Sequence, residues 1–155
     1  DVKVDDDGQE LPPTLSIVAT ETGEGDLEKT RIATQKLLKD NPDVRFIFAT
    51  NQTTTRGVCL AIDEFDMADE VDVIGFDSFT AKDGAKSSDE YIESGVLDGF
   101  ILQNPYNMGY LGIRYARNLI NGQTIATNID TGATLVTKDN INDSDIKLIM
   151  HPMDY

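Results

Sequence analysis

Short apolar segments alternate with helix-like stretches along this chain, and this alternation constrains the fold more than any other feature. Segments of strand length, rich in Val, Ile and Phe, occur at residues 15–20, 44–50, 71–76, 99–103 and 133–137. Helical spacing of apolar residues predicts helices at residues 26–40, 53–66, 87–95 and 105–120. Apolar strands separated by helices are typical of a parallel sheet that is covered on both faces. We therefore predict an α/β fold, a three-layer sandwich with a mostly parallel sheet.

The predicted helices carry start and stop signals in the sequence. Asp26 is the expected N-cap of the first helix, whose apolar stripe consists of Leu27, Ile32, Leu37 and Leu38. Asn104 caps the last predicted helix, and Pro105 occupies its first position. Gly109 and Gly112 lie on one face of that helix, which predicts close packing against the sheet.

Charge and composition exclude several classes of function. The chain has 155 residues, enough for one domain, and a net charge of −15. Such acidity argues against binding to nucleic acid or to an anionic membrane surface, because both need clustered Lys and Arg. One cysteine, Cys59, and one histidine, His151, exclude an internal disulfide and a Cys-based or multi-histidine metal site. We expect Cys59 to be a small core residue.

Polar side chains follow the predicted strands, at the points where ligands bind in open parallel sheets. Asn51 follows the second strand, Asp77 the third and Gln103 the fourth, while residues 21–26 follow the first. Carboxylates accept hydrogen bonds and amides both donate and accept, so this set suits a neutral polyhydroxylated ligand. The alternative is that such residues only cap the following helices, an interpretation that fits Gln103 least well.

Other patterns indicate chemistry only weakly. Residues 23–25 resemble a dinucleotide-binding loop, but Glu28 stands where its third glycine belongs. Residues 5–7 are three aspartates, as in a Mg²⁺-binding receiver pocket, yet Asn51 occupies the position of the required partner aspartate. Acidic residues within 63–70 lack the spacing of a calcium loop and favour a solvated surface. We find no nucleophile–base pair, and we expect neither an enzyme nor a cofactor or metal site.

Four segments in order resemble the sugar-binding solute receptors of ABC transporters, of the ribose-binding-protein type. These segments are NPDVRFIFATN at 41–51, GFDS at 75–78, GFILQNPYNMGYLG at 99–112 and NIDTGATLVTKDNI at 128–141. The resemblance implies the C-terminal lobe of a type I periplasmic binding protein over residues 14–141. Residues 1–13 would be an acidic lead-in or linker, and residues 142–155 an irregular tail that crosses toward the other lobe.

The same resemblance implies that Asn51, Asp77 and Gln103 hydrogen-bond the hydroxyl groups of a sugar. Three features depart from the family pattern. Residues 1–13 do not resemble the family's first helix, and residues 79–86, FTAKDGAK, look like an insertion. The family's aromatic after the first strand is also missing, and Phe79 or Tyr106 is a candidate for the stacking face, or an ordinary packing residue.

The resemblance implies a function as the solute-binding component of an ABC sugar importer, in the periplasm or outside the cell, with or without a lipid anchor. A monosaccharide or similar polyol would be its ligand, and an ABC permease its partner in the parent protein. Alone, the lobe is expected to bind sugar weakly or undetectably. Two other hypotheses stay open, namely the ligand-sensing lobe of a LacI-type transcriptional regulator, and an assembly module in which isolated lobes form a homodimer.

Overall fold

The computed structural model describes residues 15–150 and shows helices and strands in alternation. The helices are α1 (Leu27–Asp40), α2 (Gln52–Phe65), α3 (Ser88–Ser94), α4 (Pro105–Ile120) and α5 (Ser144–Met150). The strands are β1 (Phe46–Phe48), β2 (Asp72–Phe76), β3 (Gly99–Gln103) and β4 (Ala133–Thr137). They form one sheet in the order β1-β2-β3-β4, with the first three parallel and β4 antiparallel to β3. The predicted α/β class with a mostly parallel sheet is confirmed.

The hydrophobic core lies against one face of the sheet. Val73, Phe100 and Val136 belong to neighbouring strands, and all three are fully buried in one cluster with Ile62 of α2 and Tyr91 of α3. The opposite face is more open, because its side chains Phe46, Phe48 and Leu135 are exposed. The sequence predicts a sheet that is covered on both faces. Within the described residues, only one face of the sheet is completely covered.

The buried strand predicted for residues 15–20 is wrong. This segment has no regular secondary structure, and Leu15, Ile17 and Val18 are exposed. In the sheet, β1 is an edge strand that pairs with β2 alone. An apolar sequence favours a strand only where a neighbouring strand satisfies its backbone groups, and the segment does not pair with this edge.

Helix α1 packs on α2 mainly through small residues, and the predicted Leu/Ile stripe is confirmed only in part, since Leu27 and Leu37 are half-buried. Thr30, Thr34 and Leu38 are buried, whereas Ile32 is exposed. A Cβ atom on Gly57 of α2 would lie 2.6 Å from the Thr30 Cβ, so the two helices approach closely at this point. Both threonine hydroxyls donate to backbone carbonyls one turn earlier, which allows these polar residues to be buried without unpaired groups.

Helix α4 contradicts the prediction that Gly109 and Gly112 pack closely against the sheet. A Cβ atom on either glycine would meet nothing within 4 Å. None of the residues of α4 is fully buried. The spacing of the two glycines on one face was correct, but spacing alone does not say which face of a helix meets the protein.

The C-terminal part of the described chain is more regular than predicted. Residues 144–150 form α5 instead of an irregular tail, and Ile146 and Met150, four residues apart, are buried. The acidic lead-in at 1–13 and His151 lie outside the described residues. Among residues 15–150, no helix combines the length and the apolar character that a bilayer span requires.

Candidate ligand-binding site

The three residues predicted to bind a ligand lie at one edge of the sheet. Asn51 follows β1, Asp77 follows β2 directly, and Gln103 is the last residue of β3. These strands are parallel neighbours, so their carboxyl ends meet at the same edge. We call this edge, defined by Asn51, Asp77 and Gln103, the polar rim.

Asp77 and Gln103 are in direct contact at the polar rim. The Gln103 Nε2 donates to both carboxylate oxygens of Asp77, at 2.9 and 3.0 Å. Both residues are half-buried, so the pair is partly shielded and still accessible. An ionised carboxylate can accept about four hydrogen bonds, and the Gln103 carbonyl oxygen is a further acceptor. The contact therefore fixes both side chains and leaves acceptor sites for a ligand.

The backbone of Asp77 is held in an unusual conformation. Its φ of 61° lies in the left-handed region, which is uncommon for residues other than glycine. Its N–H donates to the carbonyl of Ile101 in β3, at 2.9 Å. Aspartate tolerates this conformation better than most side chains. The bond to β3 fixes the residue beside Gln103.

Asn51 acts as the N-cap of α2, as the capping interpretation predicted. Its Oδ1 accepts from the backbone N–H of Thr54 at 3.0 Å and from the Thr54 hydroxyl at 3.1 Å. The side chain is exposed, and its Nδ2 has no hydrogen-bond partner among residues 15–150. Capping therefore uses the oxygen of this amide and leaves its nitrogen as a donor at the polar rim.

The two aromatic candidates are placed very differently. Phe79 is 7% exposed, with the Tyr91 ring centroid at 6.3 Å and the Arg56 guanidinium at 5.9 Å. Its ring is a packing element, so the stacking role considered for Phe79 does not fit the structure. Tyr106 is 76% exposed in the first turn of α4 and stacks on Tyr110 at 6.1 Å between centroids. Its outer face is accessible, and the residue is three positions after Gln103 in the chain.

Two residues that the sequence did not indicate connect α2 to the end of β2. The buried Thr55 hydroxyl accepts from the Phe76 N–H at 2.9 Å and donates to the Asn51 carbonyl at 2.8 Å. Gln52 donates through Nε2 to the carbonyl of Ser78 at 2.6 Å. Both lie in a polar run whose pattern resembles an ordinary helix start, so only the three-dimensional contacts reveal their role.

Two of the acidic residues within 63–70 form surface ion pairs. Asp63 forms a surface ion pair with Lys86 at 2.9 Å, and Glu64 forms a separate one with Arg31 of α1 at 2.7 Å. Across the part of the chain that the structure describes, no group of three or more Asp, Glu, His and Cys side chains could hold a metal ion. Asp63 and Glu64 are therefore engaged in ion pairs at the surface.

Comparison with curated proteins gives relatives that bind sugars. The ribose import binding protein of Salmonella typhimurium is 28% identical over 124 residues, which is 80% of this chain and 40% of that protein. The D-allose-binding periplasmic protein of Escherichia coli is 25% identical over 100 residues. This chain thus spans well under half the length of these two relatives.

Solved structures give the same architecture. The carbohydrate transporter solute-binding protein of Agrobacterium radiobacter, in complex with D-arabinose, is 35% identical, with a TM-score of 0.76 over 87% of this chain and 44% of that one. An ABC transporter solute-binding protein of Agrobacterium vitis with bound D-fucose is 27% identical, with a TM-score of 0.74. The sequence model of the family described as periplasmic binding protein domain matches residues 5–124 of this chain. The chain therefore belongs to the periplasmic binding protein domain family.

Proposed function

We propose that this chain is one lobe of the solute-binding component of an ABC sugar importer, and that it binds a monosaccharide or similar polyol at the polar rim. The observation that carries this proposal is the contact of the Gln103 amide with both oxygens of Asp77. This contact gives a fixed, accessible carboxylate at the edge of the sheet where ligands bind in folds of this type. Family membership and the sugars in related structures support the same conclusion.

The polar rim provides both hydrogen-bond donors and hydrogen-bond acceptors for the hydroxyl groups of a sugar. Asn51 has a donor nitrogen, while the Asp77 carboxylate and the Gln103 carbonyl provide acceptors. A sugar hydroxyl donates one hydrogen bond and accepts others, so adjacent hydroxyls on one ring can use all three side chains. An analogue that lacks one hydroxyl would leave a desolvated polar group unpaired, which costs about 1–3 kcal/mol. Specificity among sugars follows from that cost.

Transport would require a second surface across the ligand. The rim residues are exposed or half-buried, so this lobe covers a ligand from one side. We infer that a partner lobe closes on the other side by hinge motion and that the closed form is what an ABC permease recognises. A periplasmic location follows from this role. A lipid anchor, an extracellular location and homodimerisation of the isolated lobe stay predictions.

The regulator alternative has less support. The relatives of this chain include an import binding protein and a transporter solute-binding protein, and a LacI-type sensor would in addition need a DNA-binding segment. A transport role is therefore the function that the residues and the relatives favour together.

A substitution at Asp77 tests the proposal directly. We expect Asp77→Ala to abolish measurable sugar binding, because it removes the acceptor that Gln103 holds in place. Asp72→Ala is the matched control, since Asp72 is an exposed aspartate at the opposite end of the same strand. Titration of the ¹⁵N-labelled chain with a panel of pentoses and hexoses, followed by NMR, detects dissociation constants in the millimolar range.

The expected result is a set of shifts confined to the polar rim, retained in Asp72→Ala and lost in Asp77→Ala. Binding that survives in Asp77→Ala would show that the site assignment is wrong. Absence of shifts for every sugar in the unmodified chain would contradict binding by this lobe alone.

A further inference from the structure

The segment of residues 79–86, which we call the rim loop, is a folded element that starts two residues after Asp77. Lys82 and Ala85 exchange backbone hydrogen bonds of 3.1 and 3.0 Å across a two-residue turn. The turn residues Asp83 and Gly84 have φ angles of 53° and 85°, as tight hairpin turns require. The loop therefore has a defined shape, and its position determines where the chain leaves the polar rim.

Arg56 of α2 holds this loop by three contacts. Its Nη2 donates to the Lys82 carbonyl at 2.6 Å, its guanidinium lies 5.9 Å from the Phe79 ring centroid, and the Asp83 carboxylate is 3.9 Å away. The Arg56 side chain is only 13% exposed. A guanidinium can stack on a ring and donate in its own plane at once, which an ammonium group cannot do.

A second contact lies one helical turn earlier. Gln52 is four residues before Arg56 and so lies on the same side of α2, and it donates to the Ser78 carbonyl at 2.6 Å. Helix α2 thus fixes the chain immediately after Asp77 at two points. On the other side, the N–H of Asp77 is bonded to β3.

From this arrangement we propose that Arg56 is a positioning residue for sugar binding, which keeps the Asp77 carboxylate in place by anchoring the rim loop. The inference rests on the proposed function, because Asp77 matters only if the rim binds a ligand. A left-handed residue other than glycine persists only where its surroundings enforce it. Release of the rim loop removes one of the restraints on Asp77, which then relaxes away from Gln103.

The first experiment needs no sugar. In ¹⁵N NMR spectra of the chain, Arg56→Ala should shift the side-chain amide signal of Gln103 and accelerate hydrogen exchange in residues 79–86, while the signals of β4 stay unchanged. Arg45→Ala is the matched control, because Arg45 precedes β1 at the opposite end of the sheet and its side chain donates to the carbonyls of Pro42 and Val44, away from the rim loop. An unchanged Gln103 signal in Arg56→Ala would overturn the proposal.

The second experiment measures affinity by titration with the sugar that binds best to the unmodified chain. We expect Arg56→Ala to weaken binding about tenfold, Arg56→Lys to weaken it less, and Arg45→Ala to leave it unchanged. A loss of affinity with an unchanged Gln103 signal would mean that Arg56 acts by another route. If the unmodified chain binds no sugar, binding by this lobe alone is ruled out, and the Gln103 signal alone then decides whether Arg56 positions Asp77.

Discussion

Helices α2 and α4 have similar length and similar amphipathic patterns, yet they differ in burial. Helix α2 has 14 residues, of which six are buried: Thr55, Gly57, Val58, Cys59, Ala61 and Ile62. Helix α4 has 16 residues, of which none is buried. An amphipathic sequence therefore predicts that a helix forms, but it does not predict that its apolar side is covered.

The difference follows from what each helix packs against. Helix α2 lies between the sheet and α1, and its apolar stripe enters the core. Helix α4 presents Tyr106, Tyr110, Ile113 and Ile120 to solvent, and nothing within residues 15–150 covers them. An exposed apolar stripe of this kind marks a surface where contacts form or association occurs. At the polar rim, Asn51 caps α2, and Gln52 of α2 donates to the Ser78 carbonyl next to Asp77.

Thiol reactivity should show the largest difference between the two helices. Cys59 of α2 is fully buried, and burial raises the pKa of its thiol, with a smaller contribution from the Asp63 carboxylate. The reactive thiolate therefore forms only when the protein opens. We expect Cys59 to react with an aromatic disulfide at least about a thousandfold more slowly than an exposed thiol, given typical opening free energies.

The matched variant carries Cys59→Ala together with Ala116→Cys, which places the thiol on the exposed surface of α4. Its reaction, followed by absorbance at mildly alkaline pH, should approach the rate of free cysteine. Similar rates for the two proteins would mean that α2 opens readily or that α4 is covered in solution.

Truncation of one isoleucine in each helix should give the next largest difference. Ile62 in α2 is 0% exposed and Ile113 in α4 is 76% exposed. Ile62→Ala creates a cavity in the core and should lower the free energy of unfolding by about 2–5 kcal/mol. Ile113→Ala should change it by less than about 0.5 kcal/mol, because no packed group is lost. Urea denaturation measures both, and equal losses would show that the stripe on α4 is packed in solution.

The sequence was most informative where local chemistry decides the structure. Asp26, Asn51 and Asn104 cap their helices through the side-chain bonds that cap residues make, and Ser87 forms a reciprocal capping box with Glu90. Each of these depends on neighbours within a few residues in the chain. Such signals predict the described helices except α5, whose residues the sequence predicts to be an irregular tail.

Where distant contacts decide, the sequence was less informative. Residues 15–20 look like a buried strand, but their state depends on pairing with an edge that they do not reach. The shared edge of Asn51, Asp77 and Gln103 followed from parallel strand order alone. The contact of Asp77 with Gln103 could not be predicted in the same way, since it depends on adjacent strands and on the left-handed backbone of Asp77.

Replacement of one glycine in each helix should give the smallest changes in stability, with opposite signs in α2 and α4. In α2, a Cβ on Gly57 would lie 2.6 Å from the Thr30 Cβ and 3.0 Å from the Leu27 carbonyl oxygen, so the backbone of α1 has to move. Gly57→Ala should therefore destabilise the protein by about 1–3 kcal/mol. In α4, a Cβ on Gly109 meets nothing within 4 Å, and Gly109→Ala should stabilise the protein by about 0.5–1 kcal/mol through helix propensity. Urea or thermal unfolding distinguishes the opposite signs. A loss of stability in Gly109→Ala would mean that another surface approaches α4 at this glycine in solution. The two helices would then differ in what covers them, α1 and the sheet for α2 and a surface outside residues 15–150 for α4.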